Sequence, residues 1–201
     1  MKLIGMLDSP YVRRVAISLQ LLDLPFEHQS LSVFRTFSEF SQINPVVKAP
    51  TLVCDDGTVL MDSTLILQYA EALAGRSLLP SEPRALAQAL RTVGLALAAC
   101  EKSVQIVYEH GLRPAEKLHQ PWLDRVTGQL LAACDGLEQA MPGSMDQAGV
   151  STAVAWEFIQ KMVPHVVPAV RYPKLVAFSR TAEALPAFVA APHGDSTYRA
   201  G

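Results

Sequence analysis

Residues 44–63 read Asn44-Pro45-Val46-Val47-Lys48-Ala49-Pro50-Thr51-Leu52-Val53-Cys54-Asp55-Asp56-Gly57-Thr58-Val59-Leu60-Met61-Asp62-Ser63. Thr51 to Cys54 is a strand pattern, and Val59 to Met61 is its return. Asp55-Asp56-Gly57-Thr58 between them is a tight hairpin turn, because Asp-Gly supplies the backbone angles such turns need. Asp62-Ser63 then caps a helix whose apolar stripe includes Leu65, Ile66, Tyr69 and Leu73 and which Gly75 stops. Ahead of the hairpin, Ala49-Pro50 follows an Asn-Pro loop, which suggests a proline at a tight turn. A cis bond there would turn the Ala49 N–H and C=O outward, free to pair with a peptide-like ligand as an added strand.

Upstream, Lys2 to Met6 is a short apolar run suited to a buried strand. Ser9-Pro10 opens a helix, serine as cap and proline in its first turn. Val12, Val15, Ala16 and Leu19 form one apolar stripe, and Leu24-Pro25 ends it. Phe26 to Val33 reads as a second strand and Phe34 to Ile43 as a short helix. The order β-α-β-α-β-β-α predicts a small mixed sheet with helices on its faces over residues 1–77. A proline-punctuated linker covers 78–85. No strand pattern follows. Helices are expected from Arg84 to His110, Pro121 to Ala140, Ser151 to Met162 and Pro173 to Ala184, with a last turn at Leu185 to Phe188. The chain therefore reads as an α/β domain followed by an all-α domain over 86–201.

Composition narrows the function. Of 201 residues, 17 are Lys or Arg and 19 are Asp or Glu, giving −2, and half are hydrophobic. Such a chain can bury a sizeable core, so it is not disordered. A near-neutral balance argues against a nucleic-acid-wrapping surface. Mean hydropathy is +0.20, but no apolar run reaches the roughly 18 residues of a membrane span. The three cysteines, Cys54, Cys100 and Cys134, are far apart and odd in number, so they make no disulfide framework and read as buried small hydrophobes. With no signal-peptide pattern at the N-terminus, a reducing cytoplasm is the expected location. No His, Cys, Asp or Glu set has metal-ligand spacing, His110 and His119 included, so no metal is expected.

Three loops should meet at one end of the sheet: the turn at Ser9, the loop before Pro50 and the turn at Asp62-Ser63. Two of them open helices, whose free N–H groups and dipole attract anions and thiolates. Ser9 could donate to a ligand thiolate, or serve only as a cap. Asp62 and Ser63 could together take an amino group and a carboxylate, or again only cap. Arg13 and Arg14 read as solvated faces or interface salt bridges, Arg13 being a candidate electrophile contact. Trp122 and Trp156 read as core.

The chain resembles the cytosolic glutathione S-transferases, in particular bacterial members with a serine at the first helix. The resemblance rests on Ser9-Pro10-Tyr11-Val12-Arg13-Arg14-Val15, on Asn44 to Leu52, and on Asp62-Ser63 followed by Leu65, Ile66 and Tyr69. His119-Gln120-Pro121-Trp122-Leu123, and Leu175, Phe178, Arg180 and Pro186-Ala187-Phe188, extend it over nearly the whole chain. It implies a thioredoxin-like N-terminal domain with a cis-proline, a helical C-terminal domain and a homodimer. Glutathione is then the co-substrate. Asp62 and Ser63 take its γ-glutamyl end, the backbone of Ala49 before Pro50 pairs with the cysteinyl unit, and Lys48 sits near the glycyl carboxylate. Ser9 stabilises the thiolate, which attacks a small hydrophobic electrophile lined by Pro10, Tyr11 and, on the first long helix of the second domain, Tyr108. Detoxification is the implied role. Glutathione-dependent isomerisation or thiol-disulfide reduction, and non-catalytic binding, are the alternatives.

The chain departs from the family pattern in several places. Val47 stands where glycine is frequent and Ala49 where valine is commoner. Ser151-Thr152-Ala153-Val154 replaces a Ser/Thr-x-x-Asp capping box, so a weaker helix start is expected there. Position 10 is proline, which removes the reactive cysteine of some bacterial relatives. No tyrosine lies in the first strand or its turn, which disfavours a tyrosine-based mechanism.

Overall fold

The computed structural model describes residues 1–198. Two compact units emerge, one of residues 1–78 joined by the segment beginning at Ala184, the other of residues 79–183. The first unit runs β1 (Lys2–Ile4), α1 (Pro10–Leu21), β2 (Glu27–Gln29), α2 (Phe37–Ile43), β3 (Thr51–Val53), β4 (Val59–Met61) and α3 (Ser63–Ala74), and regains α8 (Pro186–Ala190) from the far end of the chain.

The sheet order is β2-β1-β3-β4. β1 is parallel to β2 and antiparallel to β3, and β4 is antiparallel to β3. Leu3 opposes Leu52, which opposes Leu60, so these three share one face. Ile4 points to the other face, where it packs with Leu31 and Phe40 against Val33, Ile43, Val47, Ala49 and Val53. β1 is shorter than the apolar run predicts because Gly5 turns the chain at φ +133°. A Cβ there would come within 2.6 Å of Val12 Cγ2, so glycine is what lets α1 start so close to the strand. α1 buries Val12, Val15, Ala16, Ile17 and Leu19 completely.

The second unit comprises α4 (Pro83–Leu112), α5 (Gln120–Gln139), α6 (Gln147–Met162) and α7 (Pro173–Glu183). α4 begins inside the predicted linker because Glu82 caps it, its carboxylate accepting from Arg84 N (2.8 Å) and Ala85 N (2.7 Å). α6 also begins earlier than predicted. Asp146 caps it, accepting from Ala148 N (2.9 Å) and Gly149 N (3.0 Å). Ser151 and Thr152 therefore lie inside the helix, and Val154 is a core side chain, not a failed capping position. Every residue of α6 from Gln147 to Trp156 is buried, as a helix surrounded by others requires. Glu138 of α5 caps α7 from a distance, accepting from Lys174 N and Leu175 N at 2.9 Å each. Cys54, Cys100 and Cys134 are all buried thiols, and burial pushes the Cys134 thiol up to about 12. Trp156 is core as expected, whereas Trp122 is exposed.

The sequence places residues 86–201 in one helical domain, but the segment from Ala184 groups with the first unit. Side chains of α1 account for this. Arg13 Nε donates to Ala191 O (2.7 Å), with its guanidinium 5.6 Å from the Phe188 ring centre, and Gln20 Nε2 donates to Ala187 O (2.9 Å).

Candidate functional site

The sheet register brings the three loops together. Ile4 pairs with Thr51 and Thr51 with Met61. The chain leaving β1 toward Ser9, the chain entering β3 from Pro50 and the chain leaving β4 into Asp62 therefore lie side by side at one end of the sheet.

Ser9 is the N-cap of α1, in an extended conformation. Its Oγ accepts from Val12 N at 3.4 Å, which leaves the hydroxyl proton to donate outward. Pro10 is buried beside it, and Tyr11 is half-buried in the first helical turn. Helix start and hydroxyl together favour a negative charge at this point.

The loop from Asn44 to Thr51 is held by a buried polar network. Asn44 Nδ2 donates to Thr51 Oγ1 (2.8 Å), Val46 N donates to Asn44 Oδ1 (3.0 Å), and the Thr51 hydroxyl donates to Lys48 O (2.7 Å). The Ala49-Pro50 peptide bond is cis. Among the described residues, the Ala49 N–H and C=O have no hydrogen-bonding partner, which presents a free main-chain edge to an extended peptide. Lys48 is exposed. Val47 sits at φ +52°, a left-handed conformation that suits glycine and strains a branched side chain.

Asp62 caps α3, accepting from Thr64 N at 2.9 Å, and is itself at φ +72°. Strain at a residue next to a helix N-terminus is a common mark of a ligand-holding turn. Ser63 is buried, and its hydroxyl accepts from Arg14 Nη1 (3.1 Å), which also donates to Thr64 Oγ1 (3.2 Å). Arg14 thus ties the Asp62-Ser63 turn to α1.

Two arginines correct the sequence reading. Arg13 and Arg14 are 1% and 3% exposed, neither solvated nor on a free face, because the tail and α3 close over them. Arg14, Asn44 and Thr51 are positioning residues that sequence reasoning missed. The Asn-Pro start and the threonine after Pro50 were the only local signals. Tyr108 lies on α4 of the second unit and is exposed. No group of three or more His, Cys, Asp or Glu among the described residues is placed to hold a metal, and no described helix is long and apolar enough to cross a membrane.

A cis-proline loop with a free main-chain edge, flanked by two helix starts on a small mixed sheet and followed by a helical unit, defines a thioredoxin-like domain with an all-helical domain attached. The glutathione S-transferase N-terminal domain family matches residues 3–80. An Escherichia coli protein described as an uncharacterized GST-like protein, YibF, is 27% identical over 82% of this chain and 85% of its own length. Glutathione S-transferase U3 of Arabidopsis thaliana is 28% identical over 87% of this chain and 80% of its own. A glutathione transferase family member from Pseudomonas fluorescens, solved with bound glutathione, superposes with a TM-score of 0.84 at 29% identity, covering 96% of this chain and 98% of that one. Residues 3–80 carry a glutathione S-transferase N-terminal domain, and the chain as a whole has the fold of that solved transferase.

Proposed function

We propose that the protein is a glutathione transferase in which Ser9 holds the glutathione thiolate for attack on a small hydrophobic electrophile. The observation that carries this reading is the convergence at one sheet end of the Ser9 hydroxyl, the unpaired Ala49 edge and the Asp62-Ser63 turn. The Ala49 N–H and C=O pair with the cysteinyl unit, as an added strand would. Asp62 accepts from the γ-glutamyl ammonium, and the first N–H groups of α3 with Ser63 receive its carboxylate. Lys48 meets the glycyl carboxylate. The thiolate sulfur then lies at the start of α1. A free thiol near pKa 8.5 is only a few per cent ionised at neutral pH. One hydroxyl donor and a helix N-terminus bring it near 7 and raise the reactive fraction about tenfold.

With an activated aryl chloride, the sulfur lone pair forms the C–S bond, the C–Cl bond breaks and chloride leaves. The thiol proton goes to solvent before attack. The electrophile rests against Pro10 and Tyr11. The protein acts in the cytoplasm, in detoxification, as a homodimer. Val59, Met61, Leu65, Tyr69 and Leu73 form an exposed apolar face on β4 and α3 that suits a second copy, and sedimentation giving the mass of one chain would contradict the dimer.

The deciding experiment is S9A. Turnover of the aryl chloride should fall about tenfold or more, as loss of one hydrogen bond to a charged group implies, with glutathione affinity within about twofold of wild type. Full activity in S9A refutes the assigned role. Retention on immobilised glutathione with no turnover of any electrophile by wild type makes the protein a binder instead.

A further inference from the structure

The segment after α8 is strapped across the first unit by two sets of anchors. In the first, Arg13 Nε donates to Ala191 O (2.7 Å) and Gln20 Nε2 to Ala187 O (2.9 Å). Guanidinium and amide groups keep their protons across the range where histidine titrates. The second set holds residues 195–198. The Ser30 hydroxyl donates to Asp195 O (3.0 Å), Arg35 pairs with the Asp195 carboxylate (3.8 Å), and Tyr198 N donates to His28 Nδ1 (2.9 Å). The Tyr198 ring stacks on Phe26, with centres 4.5 Å apart. Between the two sets lies Gly194 at φ +143°, where an added Cβ would meet nothing within 4 Å. Glycine makes a pliable joint of that position.

The outer set depends on His28, which uses both ring nitrogens. Nδ1 accepts from Tyr198 N, so Nε2 carries the hydrogen and donates to Gly5 O at 2.7 Å. A proton added at Nδ1 turns the acceptor into a donor that faces the Tyr198 N–H. The bond to the strap is then lost, while the bond to Gly5 stays. What remains is weak. The Arg35 and Asp195 side chains are 68% and 73% exposed, and an ion pair so exposed contributes little. Ser30 adds one neutral hydrogen bond at the surface. The other charged groups on the elements around the ring are accounted for. Glu27, on the same strand, pairs with Lys2 of β1 at 3.2 Å. Arg13 and Arg14 of α1 are turned to Ala191 O and to Ser63. Asp8 lies in the turn between β1 and α1, its carboxyl raised by burial. His193, Asp195 and the Tyr198 phenol are the titratable groups of the strap itself. Burial holds the His28 ring below its ordinary 6.5 against the pull of the Gly5 carbonyl, and no charged neighbour contributes.

We propose that the outer half of the C-terminal strap is a pH-operated latch, with His28 as its pin and Gly194 as its hinge. The inference is independent of the role given to Ser9. With His28 neutral the strap is closed on β2. With His28 protonated the segment from Asp195 to Tyr198 swings out, while Arg13 keeps Ala191 in place. The sign follows from linkage. The closed form binds the His28 proton less readily than the open form, whose ring is in water, so acid favours opening. One proton limits the change in the open-to-closed ratio to about tenfold per pH unit. Opening uncovers the Phe26 ring. It also takes the Asp195 carboxylate away from Arg35, which is left beside Met6 Sδ (3.5 Å) without its counter-charge.

The test is NMR on the full chain between about pH 7.5 and about pH 5, the range in which histidine titrates, for wild type, H28N and H28Q. Long-range proton–nitrogen spectra report the His28 tautomer and its protonation. Nuclear Overhauser contacts between the Tyr198 and Phe26 rings report closure. In wild type those contacts should fade with the same midpoint as the His28 ring, while the Ala191 signals stay unmoved. H28N keeps an acceptor at the Nδ1 position and has no proton to gain, so its strap should stay closed throughout. H28Q keeps only the donor at the Nε2 position, so its ring contacts should be reduced several-fold even at the upper end. Ring contacts that persist in wild type once His28 is protonated overturn the latch, whether or not the variants fold. A strap that still opens in H28N over the same range does so too, because the titration then belongs to His193 or Asp195. A neutral His28 with its hydrogen on Nδ1 removes the pin.

Discussion

Replacing Asn44 by alanine tests whether the loop carrying Ala49 is held by its buried polar network. Asn44 is 3% exposed and Thr51 fully buried. N44A removes the donation to Thr51 Oγ1 at 2.8 Å and the acceptance from Val46 N at 3.0 Å. Two neutral hydrogen bonds contribute about 1 kcal/mol each, and an unmet buried group adds about 1 kcal/mol or more. Val46 is exposed, so its N–H recovers a water. Thr51 still donates to Lys48 O but loses its own donor. The expected loss is about 2–3 kcal/mol, read as a lower midpoint in urea at unchanged slope. Glutathione affinity by calorimetry should fall about tenfold, because the Lys48–Pro50 backbone is no longer held for pairing. T51V and the double variant complete the cycle, with an expected coupling of about 1 kcal/mol. N44A within about 0.5 kcal/mol of wild type, the ordinary scatter of surface changes, or a coupling near zero, would refute this account of the loop.

R14M should cost about 3 kcal/mol or more, since two hydrogen bonds from a buried guanidinium are lost. It should also weaken glutathione through a released Ser63, and lysine at this position should rescue little because it lacks the planar fork. Calorimetric affinity equal to wild type in R14M would be the contrary result. G149A should destabilise the helical unit in thermal melts, where alanine for glycine inside a helix ordinarily stabilises by about 0.5–1 kcal/mol, because a Cβ there collides with the Ser144 carbonyl oxygen; a melting point at or above wild type would contradict it. His28 accepts from Tyr198 N at Nδ1, so its Nε2 carries the hydrogen donated to Gly5 O at 2.7 Å. Burial lowers its pKa below 6.5. The unfolded chain therefore binds the proton more readily, and stability should be full above about pH 6.5 and fall as pH drops toward the folded-state value. The protection of the Tyr198 amide, measured relative to its intrinsic exchange rate at each pH, should fall over the same interval, and a pH-independent protection would contradict it.

Helix starts and turns were legible because their causes are local. Serine and aspartate cap through their own side chains, and Asp-Gly bends the hairpin with no help from elsewhere. The order of seven elements in the first unit, and the meeting of the three loops, follow from such signals plus the rule that sequential strands pair. The α6 start was misread because a capping motif was sought at Ser151 by family pattern, while Asp146 satisfied the free N–H groups one turn earlier. The fates of Arg13 and Arg14 were not legible. Their partners lie 178 and 49–50 residues away in sequence, and an arginine on an apolar helix reads as solvated until those partners are in place.

The sequence by itself therefore determined the α/β-then-α order, the helix caps and the three candidate loops, because each depends on a few neighbouring residues. Only the tertiary structure decided which unit owns the C-terminal segment, which arginines are buried, and that Asn44 and Thr51 hold the Ala49 edge. These are contacts between groups far apart along the chain, and their energies exist only once the backbone has brought the groups together.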